Sequence, residues 1–476
     1  MKITYLSAEC APFIKVGGLA DVVGALPREI ASLGADADVI LPLCEQIALE
    51  HKSAMKFLFY TFINVGKRHD YAGVFHLKRD GVNYYFIDNE HYFKRTNIYG
   101  YGDDAERFSF FSMAALEILP RLGDVPNILH FNDWQAAIAA IYLENYRKYN
   151  EKYRGIRTVL NIHNIEFQGK FDMNTLGTIF GLDENFRQIC EYDGALNILK
   201  AGICLCDKIV AVSKNYAQEI LHETHSHRLH YILQENRHKL CGITNGIDCE
   251  LYNPACDEKI AHNFEVNNLA GKAICKRDLQ QRLKLEVDDE VPIFAMITRL
   301  ERQKGIELLQ KSLHKILQAN VQVIVLGSGN FAYEEFLRRV ECENPAKMRT
   351  IIGFNEDLAR KIYAGADFFL MPSLSEPCGL AQLIAMQYGA IPVVHAVGGL
   401  AETVEAYNPA KKSGVGITFQ NFETCIFEDV IECAIEIFNN KDDFAQVRTN
   451  AMTKNFSWHK SALKYFKIYE KLARGE

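Results

Sequence analysis

Two hydrophobic rhythms alternate along this chain. Short runs rich in β-branched and aromatic residues, the pattern of buried strands, are followed by stretches whose apolar positions recur every three to four residues, the pattern of amphipathic helices. Residues 2–7 read as a strand, 8–18 as a loop, 19–34 as a helix stopped by Gly34, and 37–42 as the next strand. Strand, loop, helix, strand is the building block of a parallel sheet wound on both faces. Residues 57–65, 73–77 and 82–87 break the rhythm and predict hairpin strands, an insertion into the series. Alternation resumes with strands at 127–131, 157–162 and 208–212 and helices at 135–149 and 214–221.

A second series follows the turn Gly242-Ile-Thr-Asn-Gly-Ile-Asp248, with strands at 292–297, 322–326, 349–352, 368–371 and 391–394. Helices at 305–318, 333–339, 358–364 and 380–388 lie between or after them. The expectation is an α/β chain of two doubly wound halves. Residues 456–472 form a strongly amphipathic helix expected to reach back to the first half, which places domains at 1–245 plus 456–476 and at 246–455. Ligands of open α/β sheets bind beyond the carboxyl ends of the strands, so two such halves predict a deep cleft between facing loops.

Composition narrows the field. A length of 476 residues allows about three domains of roughly 150 or two large ones, and the loop positions favour two. With 48% hydrophobic residues and 12 Pro, long disorder and fibres are excluded. The 53 basic residues against 60 acidic give −7, the wrong sign for holding a nucleic-acid backbone, so an anionic ligand must be met locally. The first ten residues hold one Lys and an apolar run broken by Glu9, and no run nears the roughly 18 apolar residues of a membrane span. No membrane partner is expected. Thirteen Cys without a CxxC read as reduced thiols of a cytoplasmic protein, and the sequon Asn455-Phe-Ser457 as the lead-in to a helix.

Several loops after strands carry chemistry. Lys15-Val-Gly17-Gly18-Leu19 brings a cation and paired glycines to a helix start, where N–H groups face an anion. His130-Phe-Asn-Asp133-Trp134 and Asn161-Ile-His163-Asn164 offer hydroxyl-binding groups beside aromatic rings on which a sugar can lie. Arg299 and Lys304 are placed to converge on one diphosphate at another helix start. Glu376-Pro-Cys378-Gly379-Leu380 forms a second cradle with a carboxylate at its lip, and Gly398-Gly399-Leu400 repeats the idea. Asp36-Ala-Asp38 matches a metal-holding DxD but reads as a solvated strand entry, so no metal site is assigned.

The full set resembles the starch/glycogen synthase family, of the bacterial retaining type that uses ADP-glucose. The matching motifs are Lys15-Val-Gly-Gly-Leu-Ala-Asp-Val22, Tyr101-Gly-Asp-Asp-Ala-Glu-Arg-Phe108, His130-Phe-Asn-Asp-Trp134, Ile162-His-Asn164, Leu199-Lys-Ala-Gly202, Asn245-Gly-Ile-Asp248, Thr298-Arg299 with Lys304-Gly305, Glu376-Pro-Cys-Gly-Leu380 and Phe456-Ser-Trp458. They run in the family's order along nearly the whole chain. The resemblance implies a GT-B fold of two Rossmann-like domains and transfer of glucose, with retention, from ADP-glucose to the non-reducing 4-OH of an α-1,4-glucan. It implies no cofactor beyond the donor substrate. Carried over by position, Glu376, Arg299, Lys304 and His163 are catalytic. Lys15, Gly17, Gly18, Asn245, Phe354, Cys378, Gly379 and Leu380 bind the donor, with Phe354 stacking on the base. Glu9, Asp21, Asp133, Trp134 and Asn164 bind the acceptor.

A nucleoside diphosphate leaves as an anion, so the catalytic load is charge stabilisation rather than protonation of an alkoxide. No nucleophilic carboxylate stands out, which favours a front-face transfer over double displacement, with the departing phosphate helping to deprotonate the acceptor. Three places depart from the family pattern: Ala381 stands for Thr, His395-Ala-Val397 for Arg-Arg-Thr, and Asn132 for His. Each lost hydroxyl weakens donor binding by about 0.5–1.5 kcal/mol unless another group replaces it. Ile384, where many retaining enzymes of this fold carry a second Glu, matches the synthases themselves. The alternatives are a UDP-glucose-dependent transferase and a catalytically silent glucan-binding protein; the latter would lack Lys15, Lys304 or Glu376, and all are present.

Overall fold

Twelve strands build the first part of the chain: β1 Lys2–Leu6, β2 Asp36–Pro42, β3 Lys56–Val65, β4 Arg68–Arg79, β5 Val82–Asp88, β6 Ile128–Asn132, β7 Arg157–Ile162, β8 Lys170–Phe171, β9 Glu191–Tyr192, β10 Ala195–Asn197, β11 Lys208–Ala211 and β12 Leu240–Gly242. The computed structural model describes all residues, 1–476. Nine of these strands form one sheet in the order β12-β11-β7-β6-β1-β2-β5-β4-β3, and β8-β10-β9 form a small second one. Neighbours from β12 to β5 pair in parallel, while β5-β4-β3 are antiparallel. The hairpin strands inserted into the series therefore extend the main sheet at its β2 side. Burial of Val82, Tyr84 and Phe86 explains this, because β5 continues the core of β2 instead of facing water.

The second part holds β13 Ile293–Ile297, β14 Gln322–Gly327, β15 Met348–Ile352, β16 Phe368–Met371, β17 Ile391–His395 and β18 Ile417–Phe419. All pair in parallel, in the order β15-β14-β13-β16-β17-β18. Apolar clusters cover this sheet, one around Ala295, Ile324 and Phe369, another around Phe294, Val323 and Leu370, as alternation along buried strands requires.

Two compact units result, residues 1–245 with 458–476 and residues 246–457. Residues 456 and 457 stay with the second because Ile247 N donates to Phe456 O at 2.9 Å and Ser457 bridges Ile247. The final helix, Trp458–Arg474, belongs to the first unit. Its Tyr469 hydroxyl lies 3.2 Å from that of Tyr5 and 2.6 Å from His130 Nδ1, and Asn161 Nδ2 donates to the Tyr465 hydroxyl at 2.9 Å. Burial pushes His130 down to about 3, so this ring is neutral.

The helix Asp104–Ile118 has no counterpart in the sequence reading. Phe108, Phe110, Phe111, Ala114, Ala115 and Leu116 are all buried, so it has no clear polar face and no amphipathic period. Of the DxD pair, Asp36 is exposed as expected, but Asp38 is buried, 3.1 Å from Lys2 Nζ, and accepts from Asn83 at 2.9 Å. All thirteen cysteines are free, and no helix is long and apolar enough to cross a membrane.

Candidate active site

In the first unit the loop after β1 is organised by Glu9. This residue is 4% exposed, and its carboxylate accepts from Val16 N at 2.6 Å, Gly17 N at 2.9 Å and the Tyr99 hydroxyl at 2.7 Å. Two N–H groups just before the helix start are thus filled by the protein's own carboxylate. Glu9, expected at the acceptor, is turned inward and braces the loop that carries Lys15. Lys15 Nζ lies 2.6 Å from Asp21 Oδ1, which ties the cation to the first turn of the helix Gly18–Ser32. A Cβ on Gly17 would meet no protein atom, so the loop faces open space on that side. A cavity of about 420 Å³ opens beside Lys15, walled by Phe13, Gln46, Asn97 and Tyr99.

Glu9→Gln exchanges a charged acceptor for an amide that cannot receive all three bonds. We expect a loss of about 1–2 kcal/mol of stability, since bonds to charged groups carry about 1.5–3 kcal/mol. The urea midpoint reads this, and an unchanged midpoint would refute the bracing role.

The end of β6 and the loop after β7 meet directly. Asp133, with φ of +55°, accepts from His163 N at 2.7 Å, and His163 Nε2 lies 2.9 Å from Asn132 Oδ1. Burial pushes His163 down to about 3, so the ring is neutral; since Asn132 Nδ2 donates to Leu6 O, its oxygen accepts the Nε2 proton. Asn132, a departure from the family pattern, thereby sets the His163 tautomer. Burial pushes Asp133 up to about 7, opposed by the N–H groups of His163 and Asn164 and aided by the charge of Glu9.

A carboxyl whose pKa rises on folding gives stability that is present below about pH 4, the unfolded value, and is lost as pH climbs through about 7. Asp133→Asn keeps the acceptor, tolerates positive φ and removes the charge. The variant is expected to be about 1–2 kcal/mol more stable than the parent at pH 8, with the gain vanishing by pH 4. Urea midpoints at the two pH values test this, and a pH-independent difference would overturn it.

Trp134 does not offer a sugar-binding face. It is 8% exposed, with ring centroids of Phe108 and Phe171 at 5.3 and 5.5 Å and Gly169 so close that a Cβ there would lie 2.5 Å from the indole. Asn164 caps a local turn by accepting from Glu166 N. Asn245 is buried with Oδ1 lacking a hydrogen-bond partner.

In the second unit, the loops after β13 and β16 are joined. Lys304 Nζ lies 2.7 Å from Glu376 Oε2, with only 17% and 8% of the two side chains exposed, and Ser373 Oγ donates to the same oxygen at 3.2 Å. The carboxylate expected at the lip of the cradle is instead buried against the ammonium. Leu374 N donates to Gln303 O, and Gly305, at φ +75°, sits where a Cβ would be 1.8 Å from Pro372 O. Arg299 does not share the Lys304 partner; it is half exposed and pairs with Glu301 at 3.1 Å.

Gly399 N donates to Glu376 O, so the Gly398-Gly399 turn holds the Glu376 loop. Cys378 is buried, Gly379 has φ of +73°, and Leu380 precedes the helix Ala381–Gln387. Ile384 is a core residue, 7% exposed, where a carboxylate would be desolvated. Phe354 is 83% exposed and presents its ring to solvent. No three His, Cys, Asp or Glu side chains gather as a metal site.

Tyr99 and Ser373 escaped the sequence reading, and His395 entered it only as a departure from the family pattern. His395 Nδ1 lies 2.7 Å from Ser373 O and Nε2 2.9 Å from Gln420 O, with the ring stacked on Phe419, so this departure from the pattern fastens the Glu376 loop. Tyr99 and His395 act through contacts distant in sequence, whereas Ser373 reaches Glu376 three residues on within the same loop.

The starch synthase catalytic domain model matches residues 2–235, and the group 1 glycosyl transferase model matches residues 278–424. The chain is 43% identical to the glycogen synthase of Lactococcus lactis subsp. lactis (strain IL1403), over 99% of this chain and 100% of that one. It is 41% identical to the glycogen synthase of Anoxybacillus flavithermus (strain DSM 21510 / WK1), over 100% and 99%. The catalytic domain of starch synthase IV from Arabidopsis thaliana, solved with ADP and acarbose, superposes with a TM-score of 0.92 at 30% identity and 99% coverage of both chains. Sucrose-phosphate synthase from Thermosynechococcus elongatus, at 16% identity and a TM-score of 0.64, shares the fold. The two doubly wound units are a GT-B fold, and the chain belongs to the starch and glycogen synthase family of glycosyltransferases.

Proposed function

We propose that this glycosyltransferase moves glucose from ADP-glucose to the non-reducing 4-OH end of an α-1,4-glucan, with retention, in the cytoplasm. The observation that carries the reading is the buried Lys304–Glu376 pair at 2.7 Å. An ammonium has three N–H donors, so a Lys304 fixed by Glu376 keeps two for a departing diphosphate. Fixing the cation beforehand removes the cost of orienting it as charge develops on the leaving group.

Arg299 is assigned to the same diphosphate; in the first unit, Lys15 and the N–H groups at the start of the helix Gly18–Ser32 form a separate set suited to an anionic group. The exposed ring of Phe354 suits stacking on its base, and the unpaired Asn245 Oδ1 suits a sugar hydroxyl donor. His163, neutral and held by Asn132, is assigned to the transferred sugar through its carbonyl and ring. ADP and acarbose in the Arabidopsis starch synthase support a nucleotide donor and a glucan acceptor here. Free thiols throughout fit a reducing compartment.

The test supplies radiolabelled ADP-glucose or UDP-glucose with and without glycogen and determines the new linkage by NMR. Glycogen-dependent incorporation from ADP-glucose into α-1,4 linkages is expected. Preference for UDP-glucose would reassign the donor, a β-linked product would refute retention, and no incorporation from either donor would favour a silent glucan-binding role.

A further inference from the structure

The helix Trp458–Arg474 carries a second set of residues besides the tyrosines that seat it. Lys464, Lys467 and Lys471, at spacings of three and four, lie on one side of the helix and meet Lys208 from the start of β11 around one cavity of about 360 Å³. Its floor includes the apolar side chains of Ile243 and Ile468, and β12, which also lines it, is the edge strand of the main sheet. Glu476 is the single acidic side chain among the lining residues.

Four ammonium groups against one acidic side chain is a local excess of positive charge in a chain of net charge −7. Lys2, Lys259, Lys276 and Lys315 each lie within 4.0 Å of a carboxylate, whereas Lys208, Lys467 and Lys471 make no such ion pair. A helix C-terminus favours Lys471 through its dipole, but that leaves Lys208, from a separate element, unexplained. Like charges brought together from two elements repel one another unless an anion joins them. None of the lining residues belongs to the candidate active site.

We propose that this pocket binds a small phosphate ester carrying at least two phosphate groups, with the ammonium groups on the phosphates and the apolar floor under the organic body. The site is independent of the transferase reading. Its test is calorimetric titration of the full chain at low salt with inorganic pyrophosphate and with fructose 1,6-bisphosphate, each with ADP saturating so that the nucleotide site is filled.

The expected result is one saturable site per chain, with the bisphosphate the tighter ligand and affinity falling steeply with added salt. Lys467→Glu with Lys471→Glu should weaken binding at least tenfold while thermal melting stays unchanged. Should that variant melt early, Lys208→Gln, on the strand, is to weaken binding at least threefold by itself. Absence of a saturable site in the parent chain, or unchanged affinity in a folded variant, would overturn the proposal.

Discussion

Lys304→Ala lowers kcat/KM for glucosyl transfer by 10²–10³, or about 2.7–4 kcal/mol of transition-state stabilisation, the range seen when a major electrostatic stabiliser is removed. The expectation has two sources that an experiment can separate. One is loss of the cation from the leaving diphosphate. The other is the Glu376 carboxylate, only 8% exposed in its side chain, which is left without its counter-charge and so disturbs the loop. Lys304→Ala combined with Glu376→Gln removes the stranded charge. If Lys304 served only to neutralise Glu376, the double variant would be as active as Glu376→Gln alone; if the ammonium meets the donor, it falls well below that single variant. Near-normal turnover in Lys304→Ala would refute the assignment outright.

Gly305→Ala is expected to destabilise the second unit by about 3–4 kcal/mol and to abolish most transfer. Two costs combine: a left-handed backbone, φ +75°, that costs a β-carbon residue about 1–2 kcal/mol, and overpacking of about 1–3 kcal/mol. The second arises because the added carbon would stand 1.8 Å from Pro372 O, so one of the two loops has to retreat. That retreat pulls Lys304 away from Glu376. Thermal melting and the transfer assay together read the effect, and an unchanged melting temperature with full activity would show that the contact is not tight.

Parallel strands such as β13, β14 and β16 were legible because both faces are buried and each reads as an unbroken apolar run. Local motifs likewise located Lys304 and Glu376, each at a strand-to-helix loop. What stayed illegible was tertiary. The pairing of those residues crosses from one βα unit to another, and the inward turn of Glu9 depends on a tyrosine hydroxyl from a separate loop. Trp134 misled for a related reason. An aromatic residue beside Asp and Asn looks the same in sequence whether its face is open or covered, and only the approach of Gly169, Phe108 and Phe171 decides. The helix Asp104–Ile118 was hidden by being buried on most sides.

The return of the helix Trp458–Arg474 to the first unit bears on how the chain is made. Synthesis runs from the amino end, and domains generally fold as they emerge. Here the first unit cannot finish when its strands leave the ribosome, because Tyr5, His130 and Asn161 await hydroxyls of Tyr469 and Tyr465. The second unit, residues 246–457, is released whole before that helix. The unit begun first is therefore completed last, and a nascent chain stalled near residue 457 would expose the surface of β1 and β6 that the helix covers.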